Sequence, residues 1–208
     1  MSEPRDWNQN YIDGFLPWDS GRPDEHLLAM APTLLAAGTR VLEIGCGTGT
    51  NAVWLAQQGC RVKAVDLAPV AVERAQVRAH AAGVDVDVSV QDVLAAPIAG
   101  GPFDVVYDRG VFHVFDDPAD QGRFAARVAE SLRPGGLWLS IAGSTEGPIR
   151  ETGPPRRSLR DMVDVIEPLM EALSIVDTQF ETGGLGEARA WRCLWRKREV
   201  PAAPSSGG

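Results

Sequence analysis

The 208-residue sequence contains no apolar run near the ~18 residues that a membrane-spanning helix requires. It has only three cysteines, Cys46, Cys60 and Cys193, and no C-x-x-C pair, which predicts reduced thiols rather than disulfides or a zinc site. Basic residues are outnumbered, 20 Lys and Arg against 28 Asp and Glu, and the net charge is -8. This balance argues against a nucleic acid or an anionic membrane as partner, because both bind basic surfaces. The first six residues have no apolar segment typical of secretion signals, so we expect a cytoplasmic protein. The cysteine spacing and the lack of an obvious carboxylate cluster for Mg2+ lead us to expect no bound metal.

A buried strand followed by a glycine-rich turn occupies residues 41–50. Gly45, Gly47 and Gly49 alternate with other residues, which lets the backbone bend sharply and approach a ligand closely. Open α/β sheets form nucleotide sites in this way, at the carboxyl ends of their strands. However, the third glycine comes one residue too early for the dinucleotide pattern G-x-G-x-x-G, and no Walker lysine follows. The carboxylate of Glu43 would repel a phosphate, so a ligand with an ammonium or sulfonium group fits the turn better.

Hydrophobic periodicity predicts strands that alternate with helices along the chain. Strands are expected at 40–44, 61–66, 84–90, 103–108, 137–142, 172–180 and 189–197, and helices at 7–15, 23–37, 50–58, 69–82, 118–132 and 158–169. This alternation is typical of a parallel sheet with helices on both faces. The short connection between the last two strands predicts one antiparallel strand near the C-terminus. Residues 1–38 are expected to form N-terminal helices that could act as a lid, 39–200 the main domain, and 201–208 a disordered tail.

The turn with Glu43, Gly45, Gly47 and Gly49 resembles motif I (E/D-x-G-x-G-x-G) of the class I S-adenosylmethionine-dependent methyltransferases. Further residues match the family in the right order over 39–142. Asp66 and Leu67 resemble motif II, residues 91–93 resemble motif III, and residues 132–136 resemble the turn before the fifth strand. The resemblance implies a Rossmann-like, seven-stranded, mostly parallel sheet and S-adenosylmethionine as the cofactor, with S-adenosylhomocysteine as its product.

Family resemblance also implies which residues form the cofactor site. The motif II acid would bind the ribose hydroxyls, its neighbour would pack on the adenine, and the motif III residues would contact the ring. An acid about 20 residues after the glycine turn also suits ribose hydroxyls on spacing alone. The residues expected to contact the cofactor are Trp18, Arg22, Glu43, Gly45, Cys46, Gly47, Gly49, Asn51, Asp66, Leu67, Gln91, Asp92, Val93 and Asp108.

The residues after strand four indicate the type of methyl acceptor. Asp108-Arg109-Gly110 replaces the [DNS]-P-P-[YF] motif of methyltransferases that act on nucleobase amino groups. Together with the N-terminal pattern from Trp7 to Pro23, it resembles the thiopurine S-methyltransferase branch. Related proteins there methylate thiols, halides, or tellurium and selenium oxyanions. Glu43 departs from that branch, where Pro or Leu is often found.

Four residues are predicted on the acceptor side, and each has a second interpretation. Arg109 would either hold an acceptor anion or pair structurally with Asp108 or Asp104. His113 would be either a general base or a partner in a loop hydrogen bond. Tyr11 and Trp18 would either cover the sulfonium as an aromatic lid or pack in a core. A fifth residue, Arg22, is expected on the cofactor side, where it would meet the carboxylate of the cofactor.

Three functions are compatible with these patterns. The first is in-line methyl transfer to a small-molecule soft nucleophile such as a thiol, because a thiol with a pKa of about 8.5 needs little help from a base. The second is O- or N-methylation in secondary metabolism with His113 as the base. The third is a cofactor-binding protein without catalysis. In each case we expect a monomer or homodimer whose partner is a small molecule.

Overall fold

A computed structural model describes residues 6–149, 153–180 and 188–199, so the predicted tail at 201–208 lies outside the described residues. The helices are α1 (Trp7–Asp13), α2 (Glu25–Leu34), α3 (Thr50–Gln57), α4 (Pro69–Ala81), α5 (Pro118–Ser131) and α6 (Leu159–Ile166). The strands are β1 (Arg40–Ile44), β2 (Arg61–Asp66), β3 (Val86–Val90), β4 (Phe103–Arg109), β5 (Leu132–Gly143), β6 (Met170–Phe180) and β7 (Ala188–Lys197). Every predicted helix and strand is present, with ends that move by a few residues.

The strands form one seven-stranded sheet in the order β3-β2-β1-β4-β5-β7-β6. β1 pairs in parallel with both β2 and β4, and β7 runs antiparallel to both β5 and β6. The predicted Rossmann-like sheet with one antiparallel strand is therefore confirmed. The chain order reverses between β1 and β4, and ligands of open α/β sheets bind in the crevice at such a point. The loops after β1 and β4 meet at this crevice.

Successive residues of the central strands alternate between the two faces of the sheet, as the pleat requires. On one face Val106 and Trp138 pack with Phe124 of α5 and Met162 of α6. A second core on the other face consists of Val41, Val105, Tyr107, Leu139, Leu27 of α2 and Leu55 of α3. Among the described helices, none combines the length and apolar character that crossing a membrane requires.

β5 begins earlier than its sequence suggests. Leu132 already pairs with Phe103 of β4, and the register then shifts so that Leu137 pairs with Val105. The residues predicted as a turn, 133–136, lie between these two pairs, and Gly135 among them has a φ of 69°. The extra residues of β5 are accommodated as an irregularity in the strand. Gly136 lies at this irregularity, where an added Cβ would be 2.9 Å from the carbonyl oxygen of Arg133.

Two loop regions near the crevice are ordered by local structure. A short 3-10 helix forms at Phe112–Val114, and backbone hydrogen bonds connect residues 143–145 with Arg157. The amide of Arg157 donates to the carbonyl of Gly143 at 2.8 Å, and the amide of Thr145 donates to the carbonyl of Arg157 at 3.1 Å. The described part of the glycine- and proline-rich segment after β5 is thus fastened across the carboxyl end of β5.

Candidate active site

The glycine turn after β1 has the backbone conformation that its sequence predicts. Gly45, Gly47 and Gly49 have φ values of 71°, 55° and 81°, in the left-handed region. The space around the turn is also limited. A Cβ on Gly49 would lie 2.8 Å from the Cβ of Ala75, so this glycine lets α3 begin directly against α4. Cys46, between the first two glycines, is buried, and burial raises the pKa of its thiol well above the ordinary value.

Glu43, the acid of motif I, is buried at the end of β1 with a side chain that is only partly hydrogen-bonded. Its Oε1 accepts a bond from Nδ2 of Asn51 at 3.3 Å, whereas its buried Oε2 has no partner among the described residues. Burial raises the pKa of the Glu43 carboxyl to about 8. A buried oxygen without a partner is costly, and a water molecule or a ligand that donates a hydrogen bond would satisfy it. An ammonium group would satisfy it, which fits the amino acid part of S-adenosylmethionine.

Asp66, the acid of motif II, ends β2 beside the glycine turn. Its Oδ2 accepts the amide of Gly47 at 2.8 Å and its Oδ1 accepts the amide of Ala68 at 2.9 Å. Burial raises the pKa of the Asp66 carboxyl, and these two amides oppose the increase. Each carboxylate oxygen has a second lone pair, so hydroxyl groups can still be bound. Leu67 is 52% exposed and presents an apolar surface next to Asp66.

The motif III residues lie beside motif II, because the amide of Gln91 donates to the carbonyl of Asp66 at 2.9 Å. Asp92 is exposed, and its Oδ1 accepts the amide of Leu94 at 2.8 Å. Val93 is buried in the core that contains Trp138. The structure therefore brings motifs I, II and III to one edge of the sheet, with the side chain of Val93 turned into the protein interior.

Residues 7–24, which we term the N-terminal cap, lie over the glycine turn. Tyr11 is buried, and its hydroxyl oxygen is 3.1 Å from the position that a Cβ on Gly47 would occupy. The rings of Tyr11 and Trp18 are 6.1 Å apart at their centroids and meet edge to face. Oγ1 of Thr48 donates to Oδ2 of Asp19 at 2.7 Å, which fastens the cap to the turn. Arg22 is exposed.

Asp108, which was predicted to contact the cofactor, is buried and accepts hydrogen bonds from protein groups. It is fully buried, its Oδ2 accepts the indole N–H of Trp138 at 2.8 Å, and its Oδ1 accepts the amides of Val111 and Phe112 at 3.2 and 3.1 Å. Burial raises the pKa of the Asp108 carboxyl, and these donors oppose the increase. Its bonds shape the short 3-10 helix that carries His113.

Arg109 and His113 both lie after β4, near the cap. Nε of Arg109 donates to Oδ2 of Asp24 at 2.7 Å, so Arg109 forms an ion pair with Asp24, whereas Asp104 pairs with Arg133. Nδ1 of His113 accepts the amide N–H of Gly143 at 2.7 Å, and the ring meets Phe180 edge to face. His113 is only 5% exposed.

Three residues at this site were not predicted from the sequence. Asp24 is the N-cap of α2, and nothing in its neighbourhood along the chain signalled the pairing with Arg109. Phe180 and Gly143 lie at strand ends far along the chain, and only the sheet order brings them to β4. Among residues 6–149, 153–180 and 188–199, no group of three or more His, Cys, Asp or Glu could hold a metal ion.

Comparison with known proteins agrees with this geometry. The family model described as a methyltransferase domain matches residues 41–136. A ubiquinone biosynthesis O-methyltransferase from Xanthomonas axonopodis pv. citri is 36% identical over 67% of this chain, which spans 63% of that relative's length. A probable thiol methyltransferase from Arabidopsis thaliana is 27% identical over 89% of the chain and 84% of the relative. A solved structure concerned with conversion of a disulfide bond into a thioacetal group during echinomycin biosynthesis has a TM-score of 0.75, 28% identity, and 88% and 85% coverage.

The sheet order, the glycine turn and the three motifs define the class I methyltransferase fold with its site for S-adenosylmethionine. The chain belongs to the S-adenosylmethionine-dependent methyltransferases, as the family match and the methyltransferase relatives establish.

Proposed function

We propose that this protein transfers a methyl group from S-adenosylmethionine to a soft nucleophile, a thiol or a similar group, on a small molecule. The bond between Gly143 and His113 carries this proposal. Because an amide can only donate, Nδ1 of His113 must be the acceptor, and the neutral ring then carries its proton on Nε2. Acting as a base through Nε2 would require the other tautomer and would break the bond to Gly143. A thiolate needs no such base, whereas a phenol does.

The cofactor would be held by the residues at the edge of the sheet. Glu43 would accept the ammonium group, Asp66 the ribose hydroxyls, and Leu67 would pack on the adenine beside residues 91–93. When bound, S-adenosylmethionine supplies a sulfonium methyl group that is already activated for in-line displacement. The task of the protein is therefore mainly alignment, and proximity of this kind can contribute roughly 7–11 kcal/mol. Tyr11 and Trp18 would exclude water and place ring faces near the positive sulfur.

Sulfur chemistry also occurs among the relatives, in the probable thiol methyltransferase and in the structure concerned with thioacetal formation. The O-methyltransferase relatives, at 36% identity, favour a second candidate, methylation of a phenolic oxygen. That candidate would need His113 to release Gly143, or another group to accept the proton.

The test is the release of S-adenosylhomocysteine across a panel of simple and aromatic thiols, iodide, tellurite, phenols and catechols at several pH values. We expect turnover of thiols that rises with their thiolate fraction. We also expect His113→Phe to retain thiol turnover within about tenfold, because no proton transfer to the ring is required. His80→Phe is the matched control, since His80 is exposed on α4. The proposal of thiol methylation would be wrong, and O-methylation would take its place, if only phenols were turned over. In that case His113→Phe should lower the turnover of phenols by about 100-fold or more, and the control should not.

A further inference from the structure

The guanidinium of Arg109 is engaged on three sides by protein groups. Besides the 2.7 Å bond from Nε to Asp24, Nη1 donates to the carbonyl of Trp18 at 3.1 Å. Its Cζ lies 5.1 Å from the ring centroid of Phe180. The side chain of Arg109 is 15% exposed and that of Asp24 only 2%. Two groups of the cap, the carboxylate of Asp24 and the carbonyl of Trp18, thus hold a charge at the end of β4.

Asp24 also connects this pair to the cofactor side of the crevice. Its backbone N–H donates to Oδ1 of Asn51 at 2.8 Å, which leaves Nδ2 of Asn51 to donate to Glu43 at 3.3 Å. Hydrogen bonds therefore run without interruption from Glu43 through Asn51 and Asp24 to Arg109. The acid expected to meet the cofactor ammonium and the arginine beside the acceptor are linked through a single residue of the cap.

Two other attachments of the cap lie on the cofactor side. Oδ1 of Asn8 accepts the amide of Val70 at 3.0 Å, and the carbonyl of Tyr11 accepts Nη2 of Arg74 at 2.7 Å. The pair of Asp24 and Arg109 differs from these two attachments in two ways: both of its groups are charged, and it reaches β4 on the far side of the switch point. Removing Arg109 would leave the buried carboxylate of Asp24 without this cation, and removing Asp24 would take the carboxylate away from Arg109.

We propose that Arg109 is a positioning residue: with Asp24 it holds the N-terminal cap closed over the cofactor turn, and it does not bind an anionic group of the acceptor. The part that concerns the acceptor rests on the proposed function. Closure of the cap and binding of the cofactor are then coupled, because both act on the series of hydrogen bonds that connects Glu43 to Arg109. A neutralised arginine that stacks on Phe180 leaves a wall suited to uncharged or aromatic acceptors.

The test compares Arg109→Met, Asp24→Asn and the double variant. Asn at position 24 keeps an oxygen to cap α2 and places its NH2 donor opposite Nε–H of Arg109, so this change removes both the charge and the acceptor that Arg109 uses. Arg196→Met is the control, because Arg196 forms an exposed pair with Glu171 on β6 and β7. Binding of S-adenosylhomocysteine is measured by calorimetry, and hydrogen exchange of the amides in residues 7–24 is measured by mass spectrometry.

We expect each single variant to weaken S-adenosylhomocysteine binding on the order of tenfold and to speed exchange across the cap. The double variant should bind S-adenosylhomocysteine no more weakly than the single variant that has the lower affinity. The control Arg196→Met should match the native protein in both affinity and exchange. Arg109→Lys keeps the charge but loses the planar donor, so its affinity for S-adenosylhomocysteine should lie between those of the native protein and Arg109→Met. This variant replaces Arg109→Met in the test if the methionine variant does not fold.

A different result would overturn the proposal. If Arg109 recognises an acceptor anion, Arg109→Met will leave cofactor affinity and cap exchange unchanged and will raise KM for anionic acceptors alone. Purely additive losses in the double variant would also refute a shared contact. Neither calorimetry nor exchange requires an acceptor, so coupling between Asp24 and Arg109 can be confirmed even if the thiol panel shows no turnover.

Discussion

Lowering the pH from 8 to 6 should weaken the binding of S-adenosylhomocysteine through one residue, Glu43. The buried carboxyl has a pKa of about 8 in the ligand-free protein, raised by burial. Its Oε2 has no hydrogen-bond partner among the described residues. An ammonium beside this oxygen favours the ionised form, so binding must first remove the proton that the free protein carries at lower pH.

The size of the effect follows from the fraction of ionised Glu43. About half of the carboxyl is ionised at pH 8 and about 1% at pH 6, if the pKa is about 8. If the bound form stays ionised over this range, the affinity should fall about 50-fold between these two pH values, or about 2.3 kcal/mol. Binding at pH 7 should also release nearly one proton per cofactor.

Isothermal titration calorimetry in buffers of different ionisation enthalpy measures both the affinity and the proton release. Glu43→Gln is the matched control: it keeps the size of the side chain and cannot titrate. Titration of the ligand's own amine is common to both proteins and cancels in the comparison. We expect the variant to bind more weakly than the native protein at pH 8 and to show a nearly flat profile.

Equal pH profiles for the native protein and Glu43→Gln would refute the reasoning, since the titration would then belong to another group. Equal affinity at pH 8 would separately remove Glu43 from the ammonium site. Thermal unfolding of both proteins checks that the variant is folded at each pH.

Two further changes probe the turn and its neighbour, each against a matched control. Gly49→Ala should lower the free energy of unfolding by roughly 2–4 kcal/mol in urea titration, because its Cβ would meet Ala75 at 2.8 Å and φ is 81°. Gly38→Ala, with φ of 83° but nothing within 4 Å, should cost only about 1 kcal/mol. Asp66→Ala should weaken S-adenosylhomocysteine binding by about 1–3 kcal/mol in calorimetry, whereas Asp87→Ala on exposed β3 should bind normally; unchanged affinity would exclude Asp66 from the site.

Local signals along the chain were sufficient to predict the sheet and the motifs. Periodicity and glycine placement depend on near neighbours, so strands such as β1 and the turn from Gly45 to Gly49 can be recognised without the rest of the molecule. The start of β5 could not be predicted in the same way. Leu132 pairs with Phe103 before the residues predicted as a turn, 133–136, and regular pairing resumes at Leu137 after them, because the tertiary pairing with β4 decides where a strand starts.

The sequence by itself thus determined the fold class, the order of the motifs and the kind of cofactor. Tertiary structure alone decided the partners of the polar side chains. Two interpretations were open for Arg109, and its pairing with Asp24, 85 residues away, matched neither of the partners named for it. Likewise, the tautomer of His113 depends on an amide in β5, and the unpaired oxygen of Glu43 depends on what packs around it. Such contacts join residues that are distant in the chain, so they cannot be predicted from the local sequence around either residue.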